Sequence, residues 1–231
     1  MVRTRQRPSA PAALTQKQNA WTARWKEIAA AGTGGDWATQ KAKRELKAPL
    51  LALTWVKCAF CEGRLESQAY AQIEHYVSRR VDPDCAFEWK NLFPVCQMCN
   101  ASKGDADHQG RFLKPDAEDP EPYFGIGPEG DIAPHPGLNE ADALRASETI
   151  RLCGLNRGGL REDRQTVANS VRRWVERTAG LAGSLDKLAR EEWDELSDPG
   201  KSHKLVVRHV LTARNSPKLA ARDRVLFQRG R

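Results

Sequence analysis

The chain has 231 residues, 40% of them hydrophobic, 29% charged and 7% aromatic, which is enough for one packed core and unlike collagen, a coiled coil or a wholly disordered chain. Its longest nearly apolar run, 49–56 (PLLALTWV), is far short of the roughly 20 residues that cross a bilayer. The net charge of +7 is unevenly spread, with 10 Lys/Arg against 3 Asp/Glu over residues 1–50, 11 against 17 over 51–160 and 16 against 10 over 161–231.

An acidic middle between basic ends suits a cation-dependent site flanked by phosphate-binding surface, and equally a solvated surface that binds nothing. Residues 1–14 (MVRTRQRPSAPAAL) place Pro8 and Pro11 where a signal peptide needs an apolar segment, so the reading is a mobile basic tail on a cytoplasmic protein. An N-terminal helical segment over 15–54 follows, with helices at 20–31 and 37–47. The breaker AGTGGD separates them, and they carry Trp21, Trp25 and Trp37 as packing residues. Pro49 predicts the stop of the second helix, because the residue before a proline is pushed out of the helical region.

Six cysteines occur, and Cys58, Cys61, Cys96 and Cys99 form two Cys-x-x-Cys pairs. Two such turns can present four thiolates to one Zn²⁺ in a closed tetrahedral shell, which makes the metal structural. Disulfides are disfavoured without an export signal, and a redox pair needs only one such turn. Cys85 and Cys153 fall outside the pattern and read as small buried hydrophobes.

Between the pairs, an alternating segment over 70–76 predicts a strand that ends on Glu74-His75. Asn91 opens the apolar run NLFPV, Asn100 follows Cys99, and Lys103-Gly104 comes next. A helix opening at the second cysteine pair brings His75, Asn91 and Asn100 toward one crevice. His108, His135, His203 and His209 lack ligand spacing and read as surface or packing residues.

From Arg111 onward the stretch RFLKPDAEDPEPYFGIGPEGDIAPHPG is dense in Pro, Gly and acid, which predicts a wrap of turns and short extended pieces. Helices are expected at 140–153, 160–179, 183–196, 202–213 and 217–227. Arg172, Arg173 and Arg177 give the second of these a basic stripe.

Residues 55–105 resemble the HNH endonucleases, whose ββα-metal core is often braced by a four-cysteine zinc. Glu74-His75 matches the acid-His pair that ends the first strand, Asn91 the middle asparagine, and Asn100 the last position. The family more often has Asp before the His. The strings IEHY, FEWKNLFPVCQMCNASKGD, EDPEPYF with GDIAP, and TIRLCGLNRGGLREDR extend the resemblance over about 45–170, to the HNH nuclease subunits of Septu-type and retron-associated anti-phage systems. Arg-Pro-Lys is common there after the His-Tyr step, whereas this chain has Val77-Ser78-Arg79. The resemblance implies a bacterial defence nuclease that works with an ABC or SMC-like ATPase, docked through the C-terminal helices.

The chemistry follows from the residues as well. Hydrolysing a phosphodiester near neutral pH needs a base for water and a cation for the charge developing on phosphate. His75, with an ordinary pKa of about 6.5, is the base, and Asn91 is expected to hold its ring and fix the tautomer. Glu74 and Asn100 offer hard oxygens to one Mg²⁺ or Mn²⁺. Lys103, Arg79 and Arg80 are the candidates for phosphate contact. The expected architecture is α+β: a zinc-braced ββα nuclease core at 55–110 inside a mostly helical chain, with the wrap and C-terminal helices over 111–231. The resemblance implies DNA as the substrate over RNA. The alternatives are a stand-alone restriction or homing nuclease, a non-catalytic zinc-stabilised nucleic-acid-binding module, and an adaptor with a decayed site.

Overall fold

The computed structural model describes residues 1, 4–32, 36–65, 71–178, 187–198, 200–201 and 203–213. Tyr70, residues 183–186 and the helix expected at 217–227 lie outside them.

Helix α1 (Ala12–Ala30) starts earlier than its aromatic residues suggest, because the carbonyl of Pro11 takes the first helical bonds from the N–H groups of Leu14 and Thr15 (2.9 and 3.1 Å). Helix α2 (Gln40–Leu53) is capped by Thr39, whose hydroxyl accepts from the Ala42 N–H. Ala42, Leu46, Leu50 and Leu53 recur at helical spacing and are all buried. The expected stop at Pro49 is overturned, since the proline lies inside this helix. A proline there forfeits one backbone bond and costs about 3 kcal/mol. Burying Leu50, Leu51 and Leu53 beyond it returns about 1.5–3 kcal/mol per side chain, so packing overrides the local preference.

Strands β1 (Ala71–His75) and β2 (Leu92–Cys96) pair antiparallel, with Ala71 opposite Cys96 and His75 opposite Leu92. Every residue of β2 is buried. Pro94 is tolerated because β2 is bonded on one side by β1, while its carbonyl accepts from the Ala59 N–H of the first cysteine turn (2.9 Å). Helix α3 (Gln97–Lys103) leaves β2 directly and ends at Gly104, whose φ of +52° suits a residue without a side chain.

The segment after Arg111 buries Phe112 and Leu113 and forms a small hairpin, β3 (Phe124–Ile126) with β4 (Ile132–Pro134). Its turn needs Gly130, at φ +76°, because a Cβ there would meet the Arg161 carbonyl oxygen at 2.1 Å. Helices α4 (Glu140–Leu152), α5 (Gly158–Thr178), α6 (Lys187–Ser197) and α7 (Lys204–Ala213) complete the described chain. The protein is therefore α+β, with two small two-stranded sheets among helices. Among the described residues no helix is long and apolar enough to cross a membrane.

Three apolar clusters organise these elements. One joins α1, α2, Phe87 and Leu92; one surrounds the four paired cysteines and includes Phe93, Phe112 and Leu152; one holds α5, α6 and α7 together through Trp174, Trp193 and Val207. The described residues of 1–14, expected to form a mobile tail, pack against the body. Met1 is 2% exposed, and the Arg5 N–H donates to the Leu53 carbonyl (2.9 Å). Arg7 reaches Asp116 (2.6 Å) and the carbonyls of Trp89 and Leu92 (2.8 and 3.1 Å). A guanidinium fork satisfies several acceptors at once, so one arginine pins the segment across two parts of the body.

Candidate functional site

Two clusters sit on the β1–β2–α3 unit. In the first, Cys58 and Cys61 lie on the turn after α2, Cys96 ends β2 and Cys99 is in the first turn of α3. All four are buried, and their Sγ atoms lie within 4.8 Å of one another, with Cys61 and Cys96 at 3.8 Å. Tetrahedral ligands at about 2.3 Å from a metal are about 3.8 Å apart, so this cluster can hold a zinc ion. Four thiolates around Zn²⁺ carry excess negative charge, and Arg157 answers it from the turn between α4 and α5. Its guanidinium donates to Cys99 Sγ (3.5 Å) and Cys96 Sγ (3.8 Å) while bonding the Cys153 and Gly154 carbonyls (both 3.2 Å). Nothing in the sequence marked Arg157, which lies 58 residues from Cys99. Cys153 is fully buried as expected. Cys85 is half-buried and donates to Asp82 (2.9 Å); burial and that acidic neighbour push its thiol up to about 12.

The second cluster forms where β1 ends. His75 is 1% exposed, and its Nε2 lies 2.9 Å from the Ala86 carbonyl. A carbonyl only accepts, so Nε2 carries the proton and Nδ1 keeps the lone pair. Nδ1 faces Arg79, whose guanidinium donates to it at 3.4 Å. Trp37 packs its ring edge-on at 4.7 Å. Burial, helped by the Arg79 charge, holds the His75 pKa down to about 3, so the ring is neutral at physiological pH. Arg79 is in turn fixed by Trp25, which stacks against its guanidinium (5.2 Å) and donates from Nε1 to its carbonyl (3.1 Å).

Asn91 does not touch the ring, contrary to expectation. Its Oδ1 accepts from the Val77 N–H (2.8 Å), and its Nδ2 donates to the Val77 and Cys85 carbonyls (both 2.9 Å). It staples the two ends of the 76–91 loop, one residue away from the carbonyl that holds His75. The tautomer is set by Ala86, and Asn91 acts on it through the backbone.

On the other face of β1, strand alternation puts Gln72 and Glu74 side by side. Three-residue spacing on α3 does the same for Asn100 and Lys103. The pairs meet: Asn100 Nδ2 donates to Gln72 Oε1 (2.6 Å), and Lys103 Nζ donates to Glu74 Oε1 and to the His75 carbonyl (both 2.8 Å). Both spacings are legible in the sequence, whereas the pairing depends on how α3 packs on β1. The Lys103 side chain is 0% exposed, so it is not placed to meet a nucleic-acid backbone, which corrects that expectation. Burial pushes the Glu74 carboxyl above its ordinary value, with Lys103 pulling against it. Arg80 stands apart on the surface with Asp105 (3.0 Å), which also accepts from the Ser78 hydroxyl (2.7 Å).

Glu74 and Asn100 supply a carboxylate and an amide, the hard-oxygen chemistry that Mg²⁺ or Mn²⁺ takes. The ammonium of Lys103 already sits against Glu74 Oε1 and the His75 carbonyl oxygen at 2.8 Å, so these oxygens face a positive charge here. Among the described residues, the four cysteines are the one group of three or more His, Cys, Asp or Glu side chains with ligand atoms gathered together.

The remaining histidines bear no such constellation. His108 is buried, donates from Nε2 to the Tyr76 carbonyl (3.1 Å) and packs on the Tyr76 ring at 4.6 Å. His203 is also buried, and burial lowers its pKa to about 4. His135 is exposed and His209 half-buried.

Comparison with known proteins finds a similarity to a curated protein. It is Septu protein PtuB of Bacillus thuringiensis. The two are 31% identical over 84 residues, which is 36% of this chain and 33% of that protein. The match therefore spans about a third of the relative's length. No protein-family model matches the chain.

Proposed function

We propose that this chain is an HNH-type endonuclease that hydrolyses phosphodiester bonds, DNA before RNA, as the nuclease of an anti-phage complex with an ABC or SMC-like ATPase. The observation that carries the reading is the orientation of His75. With its proton parked on Nε2 against Ala86, the ring presents an unprotonated Nδ1 beside the Arg79 guanidinium at 3.4 Å, so a lone pair and an anion binder stand next to each other.

A phosphate drawn to Arg79 takes over its charge and its hydrogen bond. The lone pair on Nδ1 is then uncovered, and one cause of its low basicity is removed as substrate arrives. Water loses a proton to Nδ1 and its oxygen attacks phosphorus in line, while the opposite P–O bond breaks and the departing oxygen takes up a proton from solvent, to which Nδ1 later returns its own. Asn91 keeps the 76–91 loop closed so that the Ala86 carbonyl stays on Nε2. Glu74 and Asn100 would hold Mg²⁺ or Mn²⁺, which when bound offsets charge on the phosphate and the leaving oxygen. The four-cysteine zinc would brace β2 and α3, and Arg80, exposed beside Asp105, remains available to the flanking backbone. The partial match to Septu protein PtuB supports the defence role, and the C-terminal helices α5–α7 are the proposed face for the ATPase.

The test is supercoiled-plasmid nicking by wild type and His75→Ala with Mg²⁺, Mn²⁺ or EDTA, alone and with an ATPase encoded beside it. The expected result is metal-dependent nicking that falls by about 10²–10⁴-fold in the variant. Equal nicking by both proteins overturns His75 as the base. No cleavage by either, on DNA or RNA, favours the non-catalytic binding module.

A further inference from the structure

Lys103 holds a place that the proposed function does not use. Its Nζ is bonded at 2.8 Å both to Glu74 Oε1 and to the His75 carbonyl, and its side chain has no solvent exposure. Asn100, one helical turn earlier on α3, is pulled onto Gln72 (2.6 Å). The same short helix therefore carries one group offered to a divalent ion and one cation already seated on the other.

We propose that Lys103 is a built-in competitor for the divalent ion at Glu74, so that metal enters only as the ammonium leaves. The inference rests on reading Glu74 as a metal ligand. A carboxylate oxygen that accepts from an ammonium at 2.8 Å and binds Mg²⁺ at about 2.1 Å would bring two cations within about 5 Å of each other in a buried site. Repulsion at that distance is strong where water is excluded. A phosphate arriving at Arg79 offsets a nearby positive charge, which tips the exchange toward the metal. The consequence is a site that is metal-poor without nucleic acid and loads with its substrate.

Two measurements on the full, zinc-loaded chain test this without relying on cleavage. In the first, Mn²⁺ is titrated into the protein and free Mn²⁺ is read by electron paramagnetic resonance, counting only binding that Glu74→Gln removes. Lys103→Met is expected to bind Mn²⁺ about tenfold tighter than wild type or more, and the gain disappears in the double variant with Glu74→Gln. In the second, wild type is acetylated without Mn²⁺ and with Mn²⁺ at a concentration that fills the Glu74-dependent site in the titration, and Lys103 is followed by mass spectrometry. A buried ammonium resists the reagent, and labelling is expected to rise with Mn²⁺.

Lys103→Met leaves the Glu74 charge without its partner and can fail to fold; circular dichroism and zinc content report that, and the wild-type labelling then decides. Equal or weaker Mn²⁺ affinity in a folded Lys103→Met, or labelling that Mn²⁺ does not move, overturns the competition and leaves Glu74 as a ligand. Absence of any Glu74-dependent Mn²⁺ binding in both proteins overturns the metal reading together with the competition.

Discussion

At one end of the β1–β2 ladder, Cys96 stands opposite Ala71 and joins three other thiols; at the other, His75 stands opposite Leu92 with its ring against a backbone carbonyl. Four residue steps, about 14 Å of strand, separate a cluster made wholly of side chains from one that depends on backbone. The cysteine end sets the Arg157 guanidinium against two of its four sulfurs. The histidine end surrounds a neutral ring with cations, Arg79 on Nδ1 and Lys103 on the backbone carbonyl of the same residue. Side-chain ligands at fixed spacing make a site that tolerates little loss, and a ring positioned by backbone depends on whatever holds the loop.

That contrast can be broken from the cysteine end with the largest effect. Cys96→Ser should strip the chain of zinc and abolish its cooperative unfolding transition, since structural zinc contributes on the order of 10 kcal/mol in small domains. Metal analysis and thermal denaturation check it, and unchanged zinc content with an unchanged melting temperature would falsify the closed four-thiolate site. His75→Ala, by contrast, should leave zinc content intact while nicking collapses, which separates the two ends chemically.

A subtler cut is Asn91→Ala. It strands the Val77 N–H and two carbonyls that the amide now satisfies, which should cost about 1–3 kcal/mol in urea denaturation. If stability is unmoved, the loop 76–91 does not depend on that staple. Arg157→Met should lower zinc affinity about 10–100-fold, read by competition with a chromogenic chelator, and should leave the His75 end untouched.

A comparable effect concerns pH. The folded His75 takes a proton only near pH 3, against an ordinary value of 6.5, so the unfolded chain gains the proton first as pH falls. The stability tied to the neutral ring is whole above pH 6.5 and drains away between 6.5 and 3. From pH 7.5 to pH 5 wild type should lose about 2 kcal/mol more than His75→Asn. Parallel pH profiles of the two proteins would show that the ring titrates as it does in water.

The residues at both ends were legible along the chain because their signals are local. Two Cys-x-x-Cys turns announce a metal site by spacing alone, and a strand ending on His75 followed by Asn91 and Asn100 outlines the second cluster. The roles within that cluster were less legible. Asn91 was expected on the ring and is found on the backbone of Val77 and Cys85. Lys103 was expected on phosphate and is found buried on Glu74. The number of residues between two groups limits how far apart they can be, but not which atom of a long polar side chain finds which acceptor.

Sequence by itself determined the four thiols, the Glu74-His75 strand end and the absence of a long apolar span, because each is read from short stretches of chain. Tertiary structure alone decided that α2 continues through Pro49, that Arg7 pins the first residues to Asp116 and Leu92, that Arg157 reaches the sulfurs, and that Ala86 sets the tautomer of His75. Those outcomes depend on burial and on partners up to 109 residues apart, where the free energy of packing outweighs any local preference written along the chain.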